Sequence, residues 1–305
     1  MKKMNEFFAE VAKKDIGKIQ KDVFISKYTT YKVGGLVRAI IYPKNIDSLV
    51  LLCKLIKKYK IKYKILGNGS NVLFSDKTYE GVLIKLDELN KITFYGNKVV
   101  CGAGVSLMKL AREAIKRSLA GLEFAAGIPG TIGGAIYMNA GAYKSDMGYI
   151  TSSVKVLTPD LKIITLTNNE LDFHYRSSFL QKNKDYICLE ATLKLTKGDK
   201  AALEEVVKDR KERRVKSQPL NYPSAGSVFR NPSDADPAGK LIEDLGLKGL
   251  TKGGAEVSSV HANFIINKNE ASAKDIHDLI IFVHDAVKEH YGIDLKIEQE
   301  FVNWE

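Results

Sequence analysis

Cysteine is scarce in this chain of 305 residues, which holds only Cys53, Cys101 and Cys188. They are odd in number, far apart, and set among apolar neighbours such as Leu52, Val100 and Leu189. That excludes a disulfide framework and a cysteine metal site, and the three read as buried thiols of a reducing compartment. Histidine is little more useful as a ligand set. His277, His284 and His290 fall on one C-terminal helix with no i, i+4 pair among them, so no metal is expected. Long apolar runs are missing too. The longest near the C-terminus, residues 279–283, is far short of the roughly 18 that cross a bilayer. The charges of Lys2, Lys3, Glu6, Glu10, Lys13 and Lys14 leave no apolar core for a secretory signal. The expected address is the cytoplasm, with no membrane partner.

What is plentiful is lysine. Forty-seven Lys and Arg against 36 Asp and Glu give a net charge of +11, which favours acidic partners without choosing among nucleic acid, a membrane surface and phosphorylated ligands. The basic stretches 54–64 and 208–216 read as solvated helix faces, the second with Asp209 and Glu212 interspersed. No exposed aromatics lie between the charges to stack bases, so nucleic acid is not the expected partner.

The periodicity describes an α+β chain. Residues 38–42, 47–59 and 63–66 read as strand, helix and strand, the helix carrying Ile46, Leu49, Val50, Cys53 and Ile56 as its apolar stripe. Short strands follow at 82–86, 92–95 and 99–102, then a helix that Ser106 caps. Strands resume at 153–157, 163–166 and 186–195. A charged helix over about 200–216 reads as the crossing into a second domain. Beyond it come a helix near 238–245, a strand at 263–267 and a long amphipathic helix. Ser272 and Asp275 start that helix as a capping pair, Ile276, Leu279, Ile280, Val283 and Val287 form its buried face, and Gly292 stops it.

Two glycine-rich segments carry candidate chemistry. Gly67-Asn68-Gly69-Ser70-Asn71-Val72-Leu73 follows a strand and reads either as a plain turn or as converging N–H groups for an anion. No helix pattern follows it, which excludes the dinucleotide fingerprint. The second runs from Gly127-Ile128-Pro129-Gly130-Thr131-Ile132-Gly133-Gly134-Ala135 to Tyr143. It is nearly uncharged, with Ile and Ala between its glycines, and suits a backbone that lines a flat apolar ring and offers amides to phosphates.

Six motifs taken in order resemble one family. With the two glycine segments stand Thr30-Tyr31-Lys32-Val33-Gly34-Gly35, Tyr175-Arg176-Ser177-Ser178-Phe179, Pro223-Ser224-Ala225-Gly226-Ser227-Val228-Phe229-Arg230-Asn231-Pro232 and His261-Ala262-Asn263-Phe264. Together they closely resemble the UDP-N-acetylenolpyruvoylglucosamine reductase family over nearly the whole chain. The resemblance implies an N-terminal helical segment (1–24), an FAD-binding domain of the vanillyl-alcohol oxidase type (25–199) and a smaller α+β substrate-binding domain (200–305). It implies that Gly67, Asn68, Gly69, Ser70, Asn71, Gly127, Thr131, Ile132, Gly133 and Gly134 contact FAD. Residues 67–73 hold neither His nor Cys to tether the flavin, so its binding is expected to be non-covalent.

By the same resemblance, NADPH supplies a hydride and the enolpyruvyl ether of UDP-N-acetylglucosamine enolpyruvate receives it, giving UDP-N-acetylmuramate for peptidoglycan synthesis. Arg176 is implied as a carboxylate-binding residue, a job its planar, permanently charged fork suits. Ser227 resembles the proton donor, and Glu300 matches the third catalytic position, where it would polarise the ether or shuttle a proton. Read without the family, Arg176 is a loop arginine paired with an acid and Ser227 a turn residue. Phe301 follows Glu300 where an aliphatic is usual, and Glu298, expected on the same face of a strand, shares the claim. Tyr143, Asn231 and His261 match positions near the nucleotide sugar, with Lys216 or Arg230 at its diphosphate. The short run 179–186 points to the loop-lacking second type of the family. An FAD-dependent sugar or aldonolactone oxidase of the same fold is the nearest alternative, and a basic nucleic-acid-binding protein the more distant one. A monomer or weak oligomer is expected.

Overall fold

The stripe of Leu49, Leu52, Cys53 and Ile56 folds into the helix Ile46–Tyr59, whose ends are fixed locally. The Asn45 side chain accepts from the Ser48 N–H at 2.9 Å, and Lys60 closes the last turn at φ 54°. The computed structural model describes residues 2–305. They form two units: residues up to 21, 39–67 and 80–211 make the first, and residues 22–38, 68–79 and 212–305 make the second.

A four-stranded sheet, most of it in the first unit, has the order Gly17–Phe24, Leu36–Pro43, Tyr79–Ile84, Lys62–Ile65. The last two strands run parallel, Lys62 opposite Gly81. A second sheet has the order Ile163–Thr167, Thr151–Leu157, Ile187–Lys194, Lys98–Gly102, Ile92–Tyr95, antiparallel throughout. Ser106 caps the helix Leu107–Lys116, which buries Leu107, Leu110, Ala111, Ala114 and Ile115. One continuous core from Phe7 to Leu195 holds the unit together, all three cysteines being buried and free. Burial pushes the Cys53 and Cys188 thiols up to about 12, so both stay protonated and inert.

Two stretches differ from their sequence reading. The N-terminal segment expected to be helical over 1–24 is a helix only over Lys2–Lys13, and Gly17–Phe24 is a strand. Its Ile19, Val23 and Phe24 favour extended backbone, and pairing beside Leu36–Pro43 supplies the ladder. Within the glycine-rich segment, Ile132–Met138 is a helix capped by Thr131, whose hydroxyl accepts from the Gly134 N–H at 3.3 Å. Two adjacent glycines hid that helix, since glycine is a poor helix former.

The second unit is built around the helix Ala273–Tyr291, whose capping box of Ser272 and Asp275 is complete. The Asp76 carboxylate accepts from the Ala273 and Lys274 N–H groups at 3.0 Å each, which suits the positive end of the helix. A three-stranded sheet, Thr251–Lys252, Ala255–Val257 and Ile265–Asn267, packs on the helix. Glu300–Val302 pairs parallel with Val72–Phe74, Glu300 opposite Val72. Tyr31, Leu73, Phe229, Ile276, Ile280 and Val283 belong to this unit's own core. The helix Lys200–Ser217 carries the chain from the first unit to the second at Lys211. The second unit also takes in 22–38 and 68–79, nearly all of which lie within the stretch 25–199 expected as the FAD-binding domain. No described helix is long and apolar enough to cross a membrane.

Replacing Ser272 with Ala removes the acceptor for the Asp275 N–H. Urea denaturation is expected to show a loss of about 1 kcal/mol; Ser272→Thr, which keeps the hydroxyl, should lose distinctly less.

Candidate functional site

The first glycine heptad is divided between the units, Gly67 closing a segment of the first and Asn68 opening one of the second. Gly67 meets the second glycine segment directly: a Cβ on it would stand 2.7 Å from Thr131 Oγ1. Its carbonyl accepts from Lys85 Nζ at 2.8 Å, and Lys85 also pairs with Asp87 at 3.3 Å. Lys85 is a buried cation that the sequence reading passed over. A single lysine closing the apolar run Val82-Leu83-Ile84 was the available signal.

Gly133 is held by packing, since its N–H donates to the Ala103 carbonyl at 2.8 Å and a Cβ would press on Ala103 at 3.2 Å. Gly130 and Gly134 are different. An added Cβ would meet only an Ile128 methyl at 4.0 Å or Thr131 Oγ1 at 3.5 Å. Glycine there leaves open backbone, which a ligand lying along the chain can approach. Ile132 is buried beneath it, and Gly127 is half-buried in the preceding turn. The uncharged, glycine-lined surface fits the apolar and phosphate-bearing parts of a flavin dinucleotide.

In the second unit Gly69 sits at φ 64° with a Cβ position 2.3 Å from the Tyr28 carbonyl, so only glycine fits. Its carbonyl accepts from Thr30 through both N–H and Oγ1, at 3.1 and 3.3 Å. The N–H groups of Gly69 and Ser70 donate to no described backbone acceptor, as an anion-binding turn requires. Asn68 is exposed. Asn71 is committed to the C-terminal strand: its Nδ2 donates to the Glu298 carbonyl at 3.0 Å, and its own carbonyl accepts from the Glu300 N–H at 3.0 Å.

Arg176 lies at the tip of a tight turn closed by two hydrogen bonds between His174 and Ser177, each 3.0 Å, and adopts φ 53°. A left-handed backbone at a non-glycine residue costs about 1 kcal/mol, and the neighbours hold it there. Buried Asn139 donates from Nδ2 to the His174 carbonyl at 2.9 Å, and Ser178 Oγ donates to the Tyr137 carbonyl at 2.7 Å. The Arg176 guanidinium donates to the Gly141 carbonyl at 2.7 Å. Gly141 opens the hairpin that presents Tyr143. Tyr143 and Lys144 both have positive φ, 54° and 59°, as this hairpin turn demands. The Tyr143 hydroxyl donates to the Arg210 carbonyl at 3.1 Å, and the Arg210 guanidinium stands 4.7 Å from the ring. Arg176 and Tyr143 are thus brought together by the hairpin base.

Ser227 is half-buried and makes no hydrogen bond with another described residue. Its backbone surroundings are fixed. The Val228 N–H donates to the Asn263 carbonyl at 2.9 Å, while the Asn263 side chain exchanges hydrogen bonds with Phe229, 2.9 Å to its N–H and 2.8 Å to its carbonyl. The Glu298 N–H donates to the Val228 carbonyl at 2.7 Å. Glu298 and Glu300 do not share one strand as expected. Ile297 bridges Phe229, the chain bends at Gln299, and the strand begins only at Glu300. Gln299 turns inward and buries its amide.

Asn231 uses its Oδ1 to accept from the Ala238 N–H at 3.1 Å, capping the helix Ala238–Asp244. His261 Nδ1 accepts from the Asn263 N–H at 3.2 Å and its ring packs on Phe264 at 4.9 Å. Burial, reinforced by the Lys248 ammonium, holds the imidazole below its ordinary value. The neutral ring therefore keeps Nε2–H as a donor. Lys216 is exposed and Arg230 half-buried, its N–H donating to the Lys296 carbonyl at 2.9 Å.

An unfolded histidine takes its proton near pH 6.5 and the folded His261 takes it lower. Between those values the unfolded chain binds more protons, so stability present above pH 6.5 is lost as the pH falls through the folded value. The stability difference between wild type and His261→Gln is expected to shrink between about pH 7.5 and about pH 5 in denaturant titrations. A difference that does not vary with pH would show an unshifted imidazole.

Known proteins resemble this one over both units. The UDP-N-acetylenolpyruvoylglucosamine reductase C-terminal domain matches residues 218–302, and an FAD binding domain matches residues 37–167. The UDP-N-acetylenolpyruvoylglucosamine reductase of Anoxybacillus flavithermus is 43% identical over 303 residues, 99% of each chain. That of Bacillus subtilis is 42% identical over 300 residues, 98% of this chain and 99% of its own. The crystal structure of UDP-N-acetylenolpyruvylglucosamine reductase from Thermus caldophilus superposes with a TM-score of 0.79 at 33% identity, covering 93% of this chain and 98% of that one. Phl p 4.0202, a glucose dehydrogenase, shares the fold alone, with a TM-score of 0.52 at 14% identity over 64% of this chain and 44% of that one. The fold is that of an FAD binding domain joined to a reductase C-terminal domain. Similar to these reductases along its whole length, the chain belongs to the UDP-N-acetylenolpyruvoylglucosamine reductase family and is an oxidoreductase.

Proposed function

We propose that this chain reduces the enolpyruvyl ether of UDP-N-acetylglucosamine enolpyruvate to UDP-N-acetylmuramate, a peptidoglycan precursor, at the expense of NADPH. FAD, when bound, supplies a hydride carrier between the two substrates. Gly67 and Thr131, with the open backbone at Gly130 and Gly134, are the residues suited to hold it in the first unit, and Gly69 and Ser70 in the second.

The observation that carries the reading is Ser227, whose hydroxyl has no described partner while the backbone beside it is tied down by Asn263 and Glu298. Hydride addition at the methylene carbon forms one C–H bond and drives the π electrons toward the neighbouring carbon and its carboxylate. That carbon then needs a proton, and the Ser227 O–H gives it, recovering its own from solvent. Serine is a weak acid, but a carbanion-like acceptor is basic enough to take its proton when the two are positioned. Arg176, on its strained turn, binds the carboxylate where the charge gathers. Glu300 polarises the ether or shuttles the proton. Tyr143, Asn231 and His261 bind the nucleotide sugar, His261 as a neutral donor. The protein works in the cytoplasm as a monomer or weak oligomer, and nucleic acid is not its partner.

The test is the visible spectrum of the purified protein, followed without oxygen. NADPH should bleach the flavin band, and UDP-N-acetylglucosamine enolpyruvate should restore it; restoration by oxygen alone would favour an oxidase. Ser227→Ala is expected to bleach with NADPH at nearly the wild-type rate and to recover with the enolpyruvyl substrate at least a hundredfold more slowly, on the order of what general acid catalysis supplies. Equal slowing of both halves would remove Ser227 from the proton-donor role.

A further inference from the structure

Gln299 lies between two glutamates and behaves unlike either. It is 4% exposed, a polar side chain in an apolar interior, and both ends of its amide are hydrogen-bonded. Its Nε2 donates to the Ala225 and Gly226 carbonyls at 3.3 and 3.4 Å, the two carbonyls that immediately precede Ser227. Its Oε1 accepts from the Tyr31 hydroxyl at 3.0 Å. Tyr31 is fully buried, and burial raises its phenol far above the ordinary value, so the hydroxyl stays protonated and acts as a donor. The Tyr31 backbone is itself held, because Asn267 Nδ2 donates to its carbonyl at 3.1 Å while the Asn267 N–H donates to the Pro223 carbonyl at 2.9 Å.

Gly226 needs this support. Its φ is 76°, and nothing stands within 4 Å of the position a Cβ would take, so side-chain packing does not hold it. On the far side of Ser227, Asn263 and Glu298 fix Val228 and Phe229. Among the described residues, only the Gln299 amide fixes the near side through hydrogen bonds to the carbonyls of 225 and 226. One buried side chain therefore sets the approach of the chain to Ser227.

We propose that Gln299, oriented by the Tyr31 hydroxyl, is a positioning residue for Ser227, holding the peptides at Ala225 and Gly226 so that the serine hydroxyl stays aimed for proton transfer. This rests on the proton-donor reading of Ser227. Gln299 touches no reacting atom in this scheme. It acts through the backbone, and a displacement of the donor by a fraction of an ångström is enough to lower the rate.

Tyr31→Phe keeps the ring and removes only the donor to Gln299. Reduction by NADPH should stay at the wild-type rate, while recovery of the flavin band with the enolpyruvyl substrate slows about tenfold, the equivalent of one hydrogen bond's worth of positioning. Gln299→Met, which keeps the volume and abolishes all three hydrogen bonds, should slow recovery further. In a Ser227→Ala background, adding Tyr31→Phe should cost nothing more. In the protein stripped of flavin, amide exchange over residues 224–229 should rise in Tyr31→Phe and Gln299→Met. Equal slowing of both half-reactions, the same factor with and without Ser227, or wild-type exchange in both variants would each overturn the proposal alone. Wild-type recovery in Ser227→Ala would overturn the donor reading and this proposal with it.

Discussion

The parallel pairing of Glu300–Val302 with Val72–Phe74 is the contact on which the second unit depends. Two short segments far apart in sequence must meet there. Asn71 grips both flanks of the joint, donating to the Glu298 carbonyl and accepting from the Glu300 N–H, while Ser75 at the other end donates its N–H to the Val302 carbonyl. Trp304 adds its indole N–H to the Leu73 carbonyl at 2.9 Å and stacks on His277 of the long helix, 4.2 Å between rings. Once the joint is made, Gln299 has only one way to face, inward, and Ser227 acquires a fixed place relative to the same strand.

Regular elements were legible in the sequence wherever their determinants are local. The helices Ile46–Tyr59 and Ala273–Tyr291 carry stripe, N-cap and left-handed stop within their own residues. The strands of the five-stranded sheet show plain β-rich runs. The chain did not announce Gly17–Phe24, whose lysines and Gln20 blur the alternation, nor Ile132–Met138, where two glycines speak against a helix. In both, tertiary pairing or packing overrides a weak propensity.

The candidate site was legible as a set of motifs and not as a mechanism of support. Ser227 in Ala-Gly-Ser looks like any turn, and only resemblance singled it out. What fixes it comes from Asn263, 34 positions from Phe229, and Gln299, 74 positions from Ala225. Arg176 and Tyr143 are likewise held at long range, the Arg176 turn by Asn139 and the Tyr143 hydroxyl by the Arg210 carbonyl. Lys85, Asn139, Gln299 and Tyr31 share one property: each is a polar group that burial forces to find partners at long range. A sequence shows such a residue only as a polar letter in an apolar run.

The interleaving of the two units has a bearing on how the molecule is made. Synthesis delivers the chain from the N-terminus, and the first unit has all of its segments once Lys211 has left the ribosome. The second unit does not. Residues 22–38 and 68–79 emerge early, yet Val72–Phe74 waits for the strand at Glu300–Val302, which follows every segment of the first unit. Through that interval Val72–Phe74 offers an unpaired edge, the feature that quality-control machinery and aggregation both exploit. A nascent chain that stalls before Glu300 therefore has every segment of the first unit and, in the second, a strand still without its partner.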